Sequence, residues 1–348
     1  MPDERRLERL WESDGAGASL LRAALRPLSG VYGMASAIRG TLYDRGILRS
    51  YELALPAIGV GNLSVGGTGK TPVAAWVAAE LARRGARPAV VLRGYGEDEP
   101  QVHATLNPGI QVVVAADRVA GAERARFLGA DVVVLDDAFQ HRRARRLADL
   151  VLVSADRWSA HRALLPAGPW REPLSALERA SLAVVTRKAA SAEDAAAVAR
   201  AVVRASPEVR IAHVQLAADD LRSLGGAQRL GLGALAGARV LVIAAVGDPR
   251  AFLRQIEAAG ARVQEEIFPD HHRFSPSDRT RLARAATATD LVICTLKDAV
   301  KLGPLWPREA PPLWYVSQRL HVESGLEFLD QTLERVLAAR QAARASFR

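Results

Sequence analysis

Short β-branched runs recur along the first half of the chain, each followed by a stretch with helical spacing. Pro56–Val60, Pro88–Leu92, Ile110–Ala115, Asp131–Asp136, Asp149–Val153 and Leu182–Thr186 are apolar at successive rather than alternate positions. That pattern predicts strands buried on both faces, as in a parallel sheet. Helices are expected over Thr71–Arg84, Arg118–Leu128 and Ala192–Arg204. Such alternation defines an α/β class with a doubly wound, mostly parallel sheet. The texture changes at 219–238, where Gly225, Gly226, Gly231, Gly233 and Gly237 read as a linker or turn region. A second set follows, with strands over Val240–Ala244, Val263–Phe268, Leu291–Thr295 and Leu313–Val316 and helices over Arg250–Gly260 and Pro276–Ala286. This predicts a second, smaller α/β domain. A helix over Glu323–Ala343 ends it, with Leu326, Leu329, Leu333 and Leu337 on one face. The expected division is 1–45, 46–218 and 219–348, in keeping with about two domains for 348 residues.

The first segment is amphipathic. Leu21, Leu25, Leu28, Tyr32 and Ala35 recur at four-three-four-three spacing and draw an apolar stripe on a helix. Arg22, Arg26, Arg39, Arg45 and Arg49 flank it against one acid, Asp44. Two arrangements produce this pattern: a helix lying on an anionic membrane surface, and a helix docked by its stripe on its own domain. The uncharged run Pro27–Ile38 holds 12 residues, too few to span a bilayer, which takes about 20. No secretory signal is readable.

Composition narrows the partners. Apolar residues are 49% and charged residues 24%, ordinary for a globular chain, and the net charge of +9 favours anionic ligands. The six tryptophans are scattered, so no basic-aromatic ladder for stacking bases is present. The single cysteine, Cys294, lies in an apolar run and reads as a small buried hydrophobe.

The sharpest feature is Gly61-Asn62-Leu63-Ser64-Val65-Gly66-Gly67-Thr68-Gly69-Lys70-Thr71, between a strand and a helix. Glycines let successive N–H groups curl around phosphate oxygens, Lys70 reaches the β- and γ-phosphates, and Thr71 offers a hydroxyl to Mg²⁺. Ser64 stands where the usual pattern has glycine. Asp136-Asp137 follow the strand Val132–Leu135, where an acid pair would lie beside the loop and hold Mg²⁺. Arg118 and Arg142 are each readable as phosphate contacts or as solvated side chains. A nucleotide-dependent switch, such as a metal-delivery GTPase, is the competing class. One cysteine and seven histidines, of which only His271-His272 adjoin, give it no metal cluster.

Five motifs occur in order: Val60–Pro72, Asp136-Asp-Ala-Phe-Gln-His-Arg142, Leu165-Pro-Ala-Gly168 with Arg171-Glu-Pro-Leu174, Phe268-Pro-Asp-His271, and Thr295-Leu-Lys-Asp298. In these the chain resembles the tetraacyldisaccharide 4′-kinase family, from about Thr41 to about Lys301. The resemblance implies ATP and Mg²⁺ as cofactors and transfer of the γ-phosphoryl group to the 4′-hydroxyl of a tetraacyl glucosamine disaccharide 1-phosphate, a lipid A precursor. It implies a peripheral enzyme at the cytoplasmic face of a bacterial inner membrane, with no nucleic acid and no obligate protein partner. In that setting the amino-terminal stripe reads as membrane-facing. Residue by residue, Ser64, Val65, Gly66, Gly67, Thr68, Gly69, Lys70 and Thr71 would form the ATP loop. Thr71, Asp136, Asp137 and Glu99 would face the metal. Asp98, in Asp98-Glu99-Pro100, would be the base for the sugar hydroxyl, tuned by His271. Two departures stand out: only Gly96 and Glu97 separate Tyr95 from Asp98, a shorter segment than the family's usual one, and Leu296 replaces its more frequent proline.

Overall fold

A computed structural model describes residues 10–11, 13, 15–94, 98–159, 162–224, 228–270 and 272–345. The strands of the first half are β1 (Ala57–Asn62), β2 (Pro88–Leu92), β3 (Gln111–Val114), β4 (Val132–Asp136), β5 (Ala148–Ser154), β6 (Leu182–Arg187) and β7 (Ile211–Ser223). Those of the second are β8 (Arg229–Gly231), β9 (Arg239–Ala244), β10 (Arg262–Ile267), β11 (Leu291–Thr295) and β12 (Leu313–Ser324). The helices are α1 (Ala16–Asp44), α2 (Lys70–Arg83), α3 (Glu99–Leu106), α4 (Arg118–Phe127), α5 (Ala192–Ala205), α6 (Pro249–Ala258), α7 (Pro276–Ala286), α8 (Leu296–Leu302) and α9 (Leu326–Ala345).

One 12-stranded sheet runs through both halves in the order β10-β9-β11-β12-β7-β6-β5-β1-β4-β2-β3, with β8 beside β7. Pairing is parallel except where β7 meets β12 and β8. The strands read as continuous apolar runs, β1, β2 and β4, are buried at every position. They lie between two apolar layers, as helices on both faces of a parallel sheet require.

The linker expected at 219–238 is largely regular structure instead. β7 runs on through Ser223, past the 218/219 boundary, and pairs with β12 from Trp314 to Ser324. The first half of β7 alternates, with Ala212, Val214 and Leu216 buried between less buried neighbours, and a period-two strand carries no continuous apolar run to mark it. Helix α9 begins at Leu326 rather than Glu323 and returns to the first half: Leu329, Leu333 and Val336 join α2 and β1 in one core cluster. Arg340 and Arg344 both pair with Asp131.

Helix α1 docks through polar and small residues. Buried Ser29 donates its hydroxyl to the Leu164 carbonyl at 2.8 Å and accepts the Ala167 N–H at 3.0 Å. A side chain at Gly33 would meet Leu164, and Arg142 donates to the Gly40 carbonyl at 2.9 Å. Ser29, Gly33 and Gly40 therefore form the contact face, and buried Arg22 on the same side holds the Leu10 and Ser13 carbonyls. Leu20, Leu28, Val31, Met34 and Ile38 are more than half exposed on the other side. The stripe read from sequence straddles the boundary, with Leu25 and Tyr32 half-buried and Leu21, Leu28 and Ala35 exposed. No helix among the described residues is long and apolar enough to cross a membrane.

Candidate active site

The glycine loop joins β1 to α2, as the sequence predicts. Gly66 and Gly69 take positive φ of 104° and 89°, which side chains strain to adopt. Gly69 is the residue before the first turn of α2, so Lys70 and Thr71 open the helix where its free N–H groups and dipole favour an anion. Side chains brace the loop. Asn62 donates to the Thr68 hydroxyl at 2.8 Å, Thr186 donates to the Thr68 carbonyl at 2.9 Å, and Lys188 donates to the Gly67 carbonyl at 2.9 Å.

Parallel register brings the acids to this loop: Val60 of β1 sits beside Asp136 of β4. The chain after β4 then crosses over β1, where a side chain on Gly61 would come within 2.6 Å of the Phe139 Cβ. At that turn Asp137 has φ 51°, a conformation aspartate tolerates better than most residues. Its carboxylate meets two cations, Lys70 Nζ at 3.6 Å and Arg171 Nη1 at 3.1 Å. Burial alone would raise the Asp137 carboxyl. Lys70 and Arg171 outweigh that and hold it below the ordinary aspartate value. Asp136 instead accepts a hydrogen bond from His103 Nε2 at 2.9 Å, and its other oxygen, Oδ1, is buried without a hydrogen-bond partner among the described residues.

Asp98 and Glu99 lie at the start of α3. Glu99 lines the cleft, whereas Asp98 is buried at 5% exposure. Asp98 Oδ2 is 4.0 Å from Lys301 Nζ on α8, and Lys301 also pairs with Asp298 at 3.2 Å. Asp298 is fully buried, and burial raises its carboxyl even though Lys301, the Ala245 N–H and Thr295 favour the charged form. The Thr295-Leu-Lys-Asp298 motif thus caps α8 and anchors Lys301. Lys297 pairs with Asp270 at 3.3 Å. His271 lies outside the described residues.

Both halves line a cleft of about 1280 Å³ over the loop. The first half supplies Val65–Thr71, Glu99, Asp136, Asp137, Arg171 and Lys188; the second supplies Gly247, Asp248, Asp270 and Lys297. Contact is close enough that a side chain at Gly247 would come within 2.8 Å of the Gly67 nitrogen. Arg118 and Arg142 are structural. Arg118 is buried, bonded to the Ala115 and Asp136 carbonyls, and Arg142 holds α1 through Gly40 and Asp44.

The oxygen donors suit Mg²⁺ beside a nucleotide. Asp136 lines the cleft with Oδ1 unpartnered, and Thr71 and Glu99 line the same cleft. Asp137 is already held by two cations, which leaves Asp136 the better placed acid. Among the described residues no cluster of three or more His, Cys, Asp or Glu could hold a metal.

Parallel sheet, glycine loop and acid pair define a P-loop kinase fold. The sequence profile of tetraacyldisaccharide-1-P 4′-kinases matches residues 21–338. The tetraacyldisaccharide 4′-kinase of Anaeromyxobacter sp. (strain Fw109-5) is 38% identical, covering 95% of this chain and 96% of that one. The kinase of the same name from Syntrophus aciditrophicus (strain SB) is 35% identical, over 94% and 97%. The crystal structure of Aquifex aeolicus LpxK in complex with ATP superposes with a TM-score of 0.70 at 27% identity, covering 91% of this chain and 99% of that one. The chain belongs to the tetraacyldisaccharide 4′-kinase family.

Proposed function

We infer that this chain transfers the γ-phosphoryl group of ATP to the 4′-hydroxyl of a tetraacyl glucosamine disaccharide 1-phosphate, a step of lipid A synthesis. The observation that carries this is the family match over residues 21–338 together with an intact loop, Lys70 and acid pair. A switch or metal-delivery GTPase has no support from that family.

Backbone N–H groups of residues 64–71 hold the ATP phosphates, and Lys70 releases Asp137 to meet the γ-phosphate. Thr71 and Asp136, with Glu99 nearby, would hold Mg²⁺. When bound, the ion neutralises charge on the β- and γ-phosphate oxygens. Arg171 keeps Asp137 ionised and oriented while Lys70 is engaged. Asp98 accepts the proton of the 4′-hydroxyl, with His271 as its partner. A carboxylate within hydrogen-bond reach suffices, because phosphoryl transfer depends chiefly on positioning and charge neutralisation. Lys301 of the second half places its ammonium 4.0 Å from the Asp98 carboxylate. Movement of the second half over the loop would admit the sugar to Asp98 and then exclude water, as lids do.

The outward apolar face of α1 supports membrane-surface binding. Among the described residues nothing covers Leu20, Leu28, Val31, Met34 and Ile38, while exposed Arg26, Arg39, Arg45 and Arg49 suit anionic headgroups. The enzyme would sit at the cytoplasmic face of the inner membrane, where an acylated substrate and ATP meet. Incubation with γ-labelled ATP, Mg²⁺ and the disaccharide 1-phosphate in mixed micelles tests the activity. Label should pass to the lipid, and a folded protein that leaves all label in ATP or free phosphate would contradict it.

A further inference from the structure

We propose that His103 is a positioning residue for Asp136, fixing the orientation of the carboxylate that takes Mg²⁺; this rests on the metal role given to Asp136 above. His103 and Asp136 are 1% and 5% exposed, and their bond is 2.9 Å. A carboxylate oxygen accepts, so Nε2 carries the hydrogen. The other ring nitrogen, Nδ1, is buried without a hydrogen-bond partner among the described residues, and so is Asp136 Oδ1. Among the described residues the imidazole therefore spends its one hydrogen bond on this carboxylate. An apolar side chain would fill a buried position without the desolvation that an unpaired ring nitrogen costs. A second fact gives the pair its direction. His103 stands one helical turn after Glu99 on α3, and α3 is fixed to the loop helix where Asn107 donates to the Ala75 carbonyl of α2 at 2.7 Å. His103 thus ties the end of β4 to the helix carrying Asp98 and Glu99, and that helix is tied to α2.

Carboxylates that bind metals are themselves held by hydrogen bonds, and loss of such a partner typically costs about 10–100-fold in metal affinity or activity. His103→Leu should raise the Mg²⁺ concentration giving half-maximal tightening of ATP binding by about that factor, while metal-free ATP binding is unchanged. His103→Gln, whose amide can donate at similar reach, should restore most of the affinity. His103→Asn, one carbon shorter, should not.

The test is equilibrium titration of a fluorescent ATP analogue across Mg²⁺ concentrations, run on the full chain with thermal unfolding alongside. Asp136→Ala is the reference and should abolish the Mg²⁺ effect. Wild-type Mg²⁺ dependence in His103→Leu, with the effect lost in Asp136→Ala, would overturn the role of His103 and leave that of Asp136 standing. Unchanged Mg²⁺ dependence in Asp136→Ala would overturn the reading of Asp136 itself. If His103→Leu does not fold, the Gln and Asn variants decide: equal Mg²⁺ dependence in the two contradicts positioning.

Discussion

Lys70 Nζ lies 3.6 Å from Asp137 Oδ1 at the start of the loop helix, and Arg171 holds the same carboxylate at 3.1 Å. The lysine is thus parked on an acid that has a second cation to keep it charged. When a γ-phosphate arrives, Lys70 can change partners without leaving Asp137 unpaired. Lys70→Ala should lower turnover by several orders of magnitude; a single transition-state arginine is worth roughly 10³–10⁵ in rate and sets the scale. Steady-state kinetics on the folded variant check this, and near-normal kcat contradicts it.

The base proposal concerns Asp98 and His271. Asp98→Ala and His271→Ala should each lower kcat strongly with little change in ATP affinity, and the double variant should be far less than additive. Lys301→Met should lower kcat in the same direction, since it removes the cation 4.0 Å from Asp98. Fully additive losses would show that Asp98 and His271 act separately.

The exposed face of α1 makes a separable prediction. Val31→Asp with Ile38→Asp changes only the outward side, away from Ser29 and Gly33. Sedimentation with anionic vesicles should fall and the KM for lipid should rise, while the KM for ATP holds. Unchanged sedimentation would place the membrane contact elsewhere.

His141 supplies a pH dependence. Burial, with Arg118 and Arg146 nearby, lowers its imidazole from 6.5 to about 4. Between those values the unfolded chain binds the proton and the folded chain does not, so stability from this group is present above about 6.5 and lost as pH falls towards 4. Thermal melts of His141→Gln should decline less between pH 6.5 and 4 than those of the wild type. Parallel declines would contradict it.

Much of this was readable along the chain. Buried parallel strands announce themselves as unbroken apolar runs, so β2 and β11 match the sequence expectation residue for residue. The loop and Asp136-Asp137 were legible because local spacing fixes them on a strand end and a helix start. Glycine-rich spacing, by contrast, disguised the end of β7 and the short strand β8 as a linker. Long-range partners had no local signal either. Arg171 lay in a quoted motif without a role, and Lys188, Gly247 and Asp248 reach the loop only through sheet order. His103 was the one with a trace, since Glu99-x-x-x-His103 puts both on one helical face once α3 is recognised.

Position-specific identification of the product tests the central claim most directly. The lipid recovered after reaction with ATP and Mg²⁺ should show, by two-dimensional phosphorus–proton NMR, a new phosphomonoester coupled to the proton at sugar position 4′, and a 4′-deoxy acceptor should gain no second phosphate. Phosphate at any other position, or transfer that persists with the 4′-deoxy acceptor, would contradict the account.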